Sequence, residues 1–125
     1  MGTKEFKVEQ MKFNKGMVRI VNVPYSILTG DINYDLNKVF EYGQNEVHAK
    51  SSPSVSVGDI IEWENNDKYI VKPVGFEKIS KEFYDMLHKT LSISIKSGNT
   101  GETNYSTLLY NKFIYILGNV ENNWI

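Results

Sequence analysis

Apolar positions along the chain follow two periods, near two and near 3.6 residues. Phe6, Val8, Met11 and Phe13 alternate imperfectly and run into Asn14-Lys15-Gly16, a turn of the Asx-x-Gly kind. Met17 to Val23 is rich in β-branched residues and stops at Pro24, which has no N–H to continue a ladder. Residues 5–23 are therefore expected to form a hairpin, preceded by a loose terminus at residues 1–4. Asp31 and Asn33 then offer N-caps for a short helix with Leu36, Val39 and Phe40 at i, i+3 and i+4 and Gly43 as its stop. From Gln44 to Pro53 no period holds, and Ser51-Ser52-Pro53-Ser54 reads as an exposed loop.

The stretch from Ser54 to Ile79 is the most specified part of the chain. Two β-rich runs are joined by Asn65-Asn66-Asp67, with Gly58-Asp59 opening the first and Gly75-Phe76 closing the second, so a hairpin is expected. Alternation places Ile61 and Trp63 on one face and Ile60, Glu62 and Glu64 on the other. On the return run, Tyr69 and Val71 share a face, Ile70, Val74 and Phe76 share the opposite one, and Pro73 argues for an edge or bulge. Ser80 caps a second short helix carrying Phe83, Met86 and Leu87, with Glu82 near its positive end. Leu91 to Lys96 alternates and is expected to be a strand, followed by a polar loop over 97–104. Residues 106–112 suit either strand or helical turn, and Phe113 to Leu117 reads as a strand. The expected fold is one α+β domain over residues 1–125: a small antiparallel, partly barrel-like sheet with two short helices.

Composition narrows the function more by exclusion than by assertion. A chain of 125 residues can close one core, and its lack of cysteine removes disulfides, thiolate metal sites and cysteine nucleophiles. The charged N-terminus has no signal-peptide core and no window reaches a membrane span, so a cytoplasmic protein without membrane contact is expected. Fourteen basic and fifteen acidic residues are interspersed, and Arg19 is the one arginine, so neither a basic cluster nor a set of arginine forks speaks for nucleic acid. Frequent Lys, Asn and Ile point to an A+T-rich coding sequence, that of a low-GC bacterium or its phages. Eight Tyr, six Phe and two Trp supply core and also potential contact area, because Tyr and Trp give rigid binding surface.

No residue constellation states a chemistry. The loop Ser97-Gly98-Asn99-Thr100-Gly101-Glu102 lacks the Lys-Ser/Thr of a phosphate loop and puts Glu102 where the anion would sit. His48 and His88 have no partner at metal-ligand spacing, so no metal or cofactor is expected; His88 is expected to end a helix and meet its dipole. Glu62 and Glu64 stand roughly 7 Å apart on one strand face and read as a solvated pair. Asp59 after Gly58 is explained by turn hydrogen bonding.

Ser54-Val-Ser-Val-Gly-Asp-Ile-Ile, Lys68-Tyr-Ile-Val71 and Gly75-Phe-Glu-Lys-Ile79 together resemble the YodL-like domain. That family's core is a Ser-x-Ser-Val-x-Asp-Val-Ile run, a short turn, a Tyr-Tyr-Val strand and a Gly-Phe-Lys-Glu-Ile close. The match departs at Lys72-Pro73-Val74. The resemblance implies an origin in small Firmicutes proteins or modules of phage and mobile-element proteins, and transfers no catalytic residue. The function expected is non-catalytic: a phage or mobile-element accessory protein that binds and inhibits a host factor, a defence component or its small signalling ligand. Tyr34, Tyr42, Trp63, Tyr69 and Phe76 are its candidate contacts, each with a core role as the alternative. A homo-oligomer is a further option. The competing expectation is a small hydrolase or nucleotide-processing enzyme pairing His48 or His88 with Glu62 or Glu64.

Overall fold

The structure is a computed structural model, and it describes residues 2–11, 14–46 and 52–96. Five antiparallel strands form one sheet in the order β2-β1-β3-β4-β5: β1 Thr3–Gln10, β2 Met17–Pro24, β3 Ile60–Glu62, β4 Lys68–Val71 and β5 Phe76–Ile79. Helix α1 is Ile32–Tyr42 and helix α2 is Lys81–Lys96. Among the described residues the sheet is open, with β2 and β5 as its edges, and the five strands do not close into a barrel. The small α+β expectation holds.

Strand register decides which side chains share a face. Because Val8 lies opposite both Arg19 and Ile61, Phe6, Val8, Val21, Val23, Ile61 and Val71 point to one side. There they bury with Leu36 and Val39 of α1 and with Val55. The opposite side collects Met11, Ile60 and Ile70 under Leu87, Phe83 and Tyr84 of α2. The sheet is therefore covered by one helix on each face.

Both helices start as their capping residues dictate. The Asp31 side chain accepts from the Tyr34 N–H at 2.9 Å, and the Ser80 hydroxyl accepts from the Phe83 N–H at 3.1 Å. Asp35, buried in the first turn of α1, accepts from the Thr29 and Gly30 N–H groups at 2.9 Å and from the Thr29 hydroxyl at 3.1 Å. Gly43 caps the end of α1, its N–H donating to Val39 O and Phe40 O, and its missing side chain admits Val55: a Cβ there would stand 2.4 Å from Val55 Cγ2.

Four expectations are corrected. Residues 3 and 4 are not loose, since Thr3 pairs with Pro24 and Lys4 with Val23. The Ser54–Ile79 unit is a three-stranded meander: Lys72 N–H donates to Gly75 O in a second turn, which takes up Pro73, and Phe76–Ile79 is a strand of its own. That turn resets the alternation, so Phe76 lies opposite Val71 and shares its face. Leu91 to Lys96 is helical. No Gly or Pro interrupts 81–96, and Leu91 and Ile95 continue the four-residue spacing from Leu87, so helical continuation overrides the local alternation. The expected loop at 97–104, the ambiguous 106–112 and the strand at 113–117 lie outside the described residues.

Two outcomes follow from these local contacts. Gly43→Ala should destabilise the fold by about 1–3 kcal/mol through overpacking, and in a Val55→Ala background the same change should cost much less, as measured by urea unfolding. Burial alone would raise the Asp35 pKa, but the donors from Thr29 and Gly30 together with the Lys4 charge outweigh it and hold the carboxyl below its ordinary value. A depressed folded-state pKa gives stability that is full above the unfolded value, near pH 4, and is lost as pH falls through the folded one. Wild type should therefore lose more stability than Asp35→Asn on acidification below about pH 4, read as the change in unfolding midpoint.

Candidate functional site

Where α2 crosses the sheet, polar groups from three elements converge. Glu9, at the end of β1 and 7% exposed, faces α2. Tyr84 Oη donates to Glu9 Oε2 at 2.6 Å, and His88 Nε2 lies 2.6 Å from Glu9 Oε1. Tyr84 and His88 stand four residues apart, hence on one side of α2, and their rings are 4.6 Å apart. Lys68 of β4 reaches the group from the side, 4.0 Å from Glu9 Oε2 and 3.3 Å from Glu62 Oε1, with its Nζ 5.0 Å from the Tyr84 ring centroid. Burial pushes the Tyr84 phenol far above its ordinary pKa, and the bond to Glu9 and its negative charge act in the same direction. Tyr84 is thus a firmly neutral donor.

Beside this cluster opens a cleft of about 470 Å³ between the β3–β4 turn, β5 and the start of α2. Its lining includes Lys68, Lys78 and Lys81 with Asp67, Ser80 and Tyr84. Lys78 pairs with Asp67 at 3.5 Å and Lys81 with Asp85 at 3.1 Å, and both lysines are exposed. A smaller cleft of about 220 Å³ lies where β1 and β3 diverge. The two strands pair only through Val8↔Ile61 and Glu9↔Ile60, and Phe6 and Trp63 stack across the gap at 5.1 Å.

The residues singled out in the sequence separate by face. Trp63, Tyr69 and Phe76 are half-buried and packed on the α1-side core, Trp63 meeting Tyr69 edge-on at 6.3 Å. Tyr34 is exposed, with Lys38 Nζ 5.3 Å from its ring centroid. Tyr42 is half-buried beside β2. Glu62 and Glu64 do not act as a pair: Glu62 bonds to Lys68, while Glu64 begins a 3-10 turn and bonds to Lys4. His88 does not end its helix, and its acidic neighbour is Glu9. His48 lies outside the described residues. Among the described residues no three His, Cys, Asp or Glu side chains gather as metal ligands, and no helix is long and apolar enough to cross a membrane.

Glu9 was missed because it shares strand parity with Glu5 and Lys7, which are exposed. The available sign was the i, i+4 spacing of Tyr84 and His88 within an otherwise apolar stripe. No protein-family model matches the chain, and neither the curated proteins nor the solved structures give a match.

The Tyr84 shift has a measurable sign. A raised folded-state pKa contributes stability that is full below the unfolded value, near pH 10, and is lost as pH rises beyond it. Tyr84→Phe should cost about 1–3 kcal/mol at neutral pH by leaving Glu9 short of a donor, and the gap to wild type should narrow above about pH 10 in guanidinium titrations.

Proposed function

We propose that the chain is a non-catalytic accessory protein of a phage or mobile element that inhibits a host factor by binding, with that factor's small anionic signalling ligand as the captured species. One observation carries this reading: the cleft beside the Glu9 cluster has small-molecule dimensions and presents three lysines. Its 470 Å³ falls within the range of about 300–1,000 Å³ usual for ligand pockets. Lys68, Lys78 and Lys81 line it, each within an ion pair (Glu62, Asp67 and Asp85) that an anionic ligand would compete with, and the Tyr84 phenol supplies an aromatic wall. The YodL-like resemblance of Ser54–Ile79 and the low-GC composition support the source.

Binding in place of catalysis is supported by how the polar cluster is satisfied. A general base needs a free lone pair aimed at a substrate proton. Glu9 is buried, with Tyr84 on one oxygen and His88 on the other, and Tyr84 is held protonated. Arg19 is likewise spent on structure: its Nη1 donates to Asn45 Oδ1 and Pro53 O, each at 2.8 Å.

The hydrolytic reading has one observation in its favour, the 2.6 Å contact between His88 and Glu9, which is the orienting half of a base dyad. Under the binding reading no turnover is seen with wild type or with His88→Ala.

Isothermal titration with mono- and oligonucleotides, beside a pull-down from a low-GC bacterial lysate, tests the proposal. Lys78→Glu should weaken capture at least about tenfold, equivalent to 1.4 kcal/mol, with little change in melting temperature because Lys78 is exposed. A chain that retains no anion, captures no protein and ignores Lys78→Glu would sink the reading.

A further inference from the structure

Lys4 and Phe6 stand two residues apart on β1 and so point to one side of it. Where β1 and β3 part, the Phe6 and Trp63 rings stack at 5.1 Å with 24° between their planes, and Tyr69 meets Trp63 edge-on. The Lys4 ammonium is seated on this pair. It lies 5.4 Å from the Phe6 centroid and 5.9 Å from that of Trp63, both within the ~6 Å reach of a cation–π contact. Glu64, at the start of the 3-10 turn, accepts from the same nitrogen, and the Lys4 charge also acts on the buried Asp35 carboxyl. A lysine that only covers apolar surface turns its head to water. This one turns its head onto two rings and a carboxylate, and its side chain is 30% exposed. The cleft of about 220 Å³ opens at this point and shares no lining residue with the lysine-lined cleft beside α2.

We propose that Phe6, Trp63 and Glu64 form a binding site for an alkylammonium cation, which Lys4 plugs from within the chain. The occupant's chemistry is that of the group already seated there: a primary ammonium on an alkyl stem, against ring faces and one carboxylate. Once Lys4 withdraws, the cleft keeps Glu5, Glu62 and Glu64 against Lys7 alone, a balance that favours a cation over an anion. A neutral apolar ligand would forgo the carboxylate. The plug is displaceable, because its partner Glu64 is 64% exposed and ion pairs so exposed hold weakly. The frame stays in place: Phe6 belongs to the core, and Trp63 is fixed by its stack and by its N–H donating to Asp67 O at 2.7 Å. A free amine and the lysine side chain of a peptide present the same group to this site.

Trp63 emission reports the site in a Trp124→Phe background, which leaves a single indole. Titrated with n-butylammonium at constant ionic strength, Lys4→Ala should bind with a Kd of about 1–10 mM, the range open to so small a ligand. The chain with Lys4 intact should bind about tenfold or more weakly, since its own ammonium competes from within. Glu64→Gln added to Lys4→Ala should also weaken binding about tenfold, and 1-butanol, the neutral analogue, should bind at least about tenfold more weakly than butylammonium. Nα-acetyl-lysine N-methylamide separates the sources: binding as tight as that of butylammonium assigns a peptide lysine, and butylammonium binding alone assigns a free amine. Thermal unfolding checks that each variant folds, and Lys4→Gln, which removes the charge and keeps part of the stem, replaces a Lys4→Ala chain that does not. A folded variant without Lys4 that binds no butylammonium, binds butanol as tightly, or is indifferent to Glu64→Gln overturns the proposal. So does a chain with Lys4 intact that binds as well as the variant lacking it.

Discussion

A carboxylate inside a fold must be satisfied, and at Glu9 that requirement fixes where the second helix can lie. Leaving a buried charge without partners costs several kcal/mol. The partners of Glu9 come from 75 and 79 residues further along the chain, Tyr84 and His88 on one side of α2. Apolar packing of Leu87 over Met11, Ile60 and Ile70 presses the helix on the sheet, but that driving force is non-directional. Two short hydrogen bonds to one carboxylate are not, so the polar contact sets the register of helix on strand. The cleft beside it exists because the start of α2 is held there.

The same logic holds the other face. Gln10 and Arg19 follow the apolar residues of β1 and β2 on the α1 side, where unpaired polar groups would be costly. Both are spent on one segment: Gln10 Nε2 and Arg19 Nη1 donate to Pro53 O at 2.6 and 2.8 Å. Asn45 accepts from Arg19 and donates to Ser52 O, while its backbone N–H donates to Ser54 Oγ. Residues 52–55 are thereby clamped across the hairpin, which seats Val55 against Gly43 and lets Asp59 close the turn with Ser56.

Local rules made much of this legible. Caps at Asp31 and Ser80, the stop at Gly43, the turn at Asn65 to Asp67 and the role of Asp59 each depend on neighbours within a few residues, so their meaning is carried by type and spacing. Where reading failed, a longer-range cause intervened. The tight turn at Lys72 to Gly75 shifted the parity of Phe76. The uninterrupted helix over Lys81–Lys96 absorbed a stretch whose alternation, taken alone, favours a strand. Glu9, Tyr84 and His88 could not be assembled, since nothing in β1 announces which end of its outer face will be covered.

That last point moves the functional surface. Trp63, Tyr69 and Phe76 drew attention as aromatic contacts, yet they spend their area on the α1 side, where Phe6 and Val71 lie beside them in the core. The other face is different, because α2 covers only part of it: Glu9 is buried under the helix while Glu5, Lys7 and Val18 on the same side stay exposed. A sheet face half covered by one helix has a boundary, and polar groups at that boundary are both held by the core and open to ligands. Lys68 stands there, bound to Glu62 and close to Glu9 while lining the cleft. In the proposed reading, recognition follows from this incomplete coverage, with Lys68, Lys78 and Lys81 lining the cleft at the margin of α2.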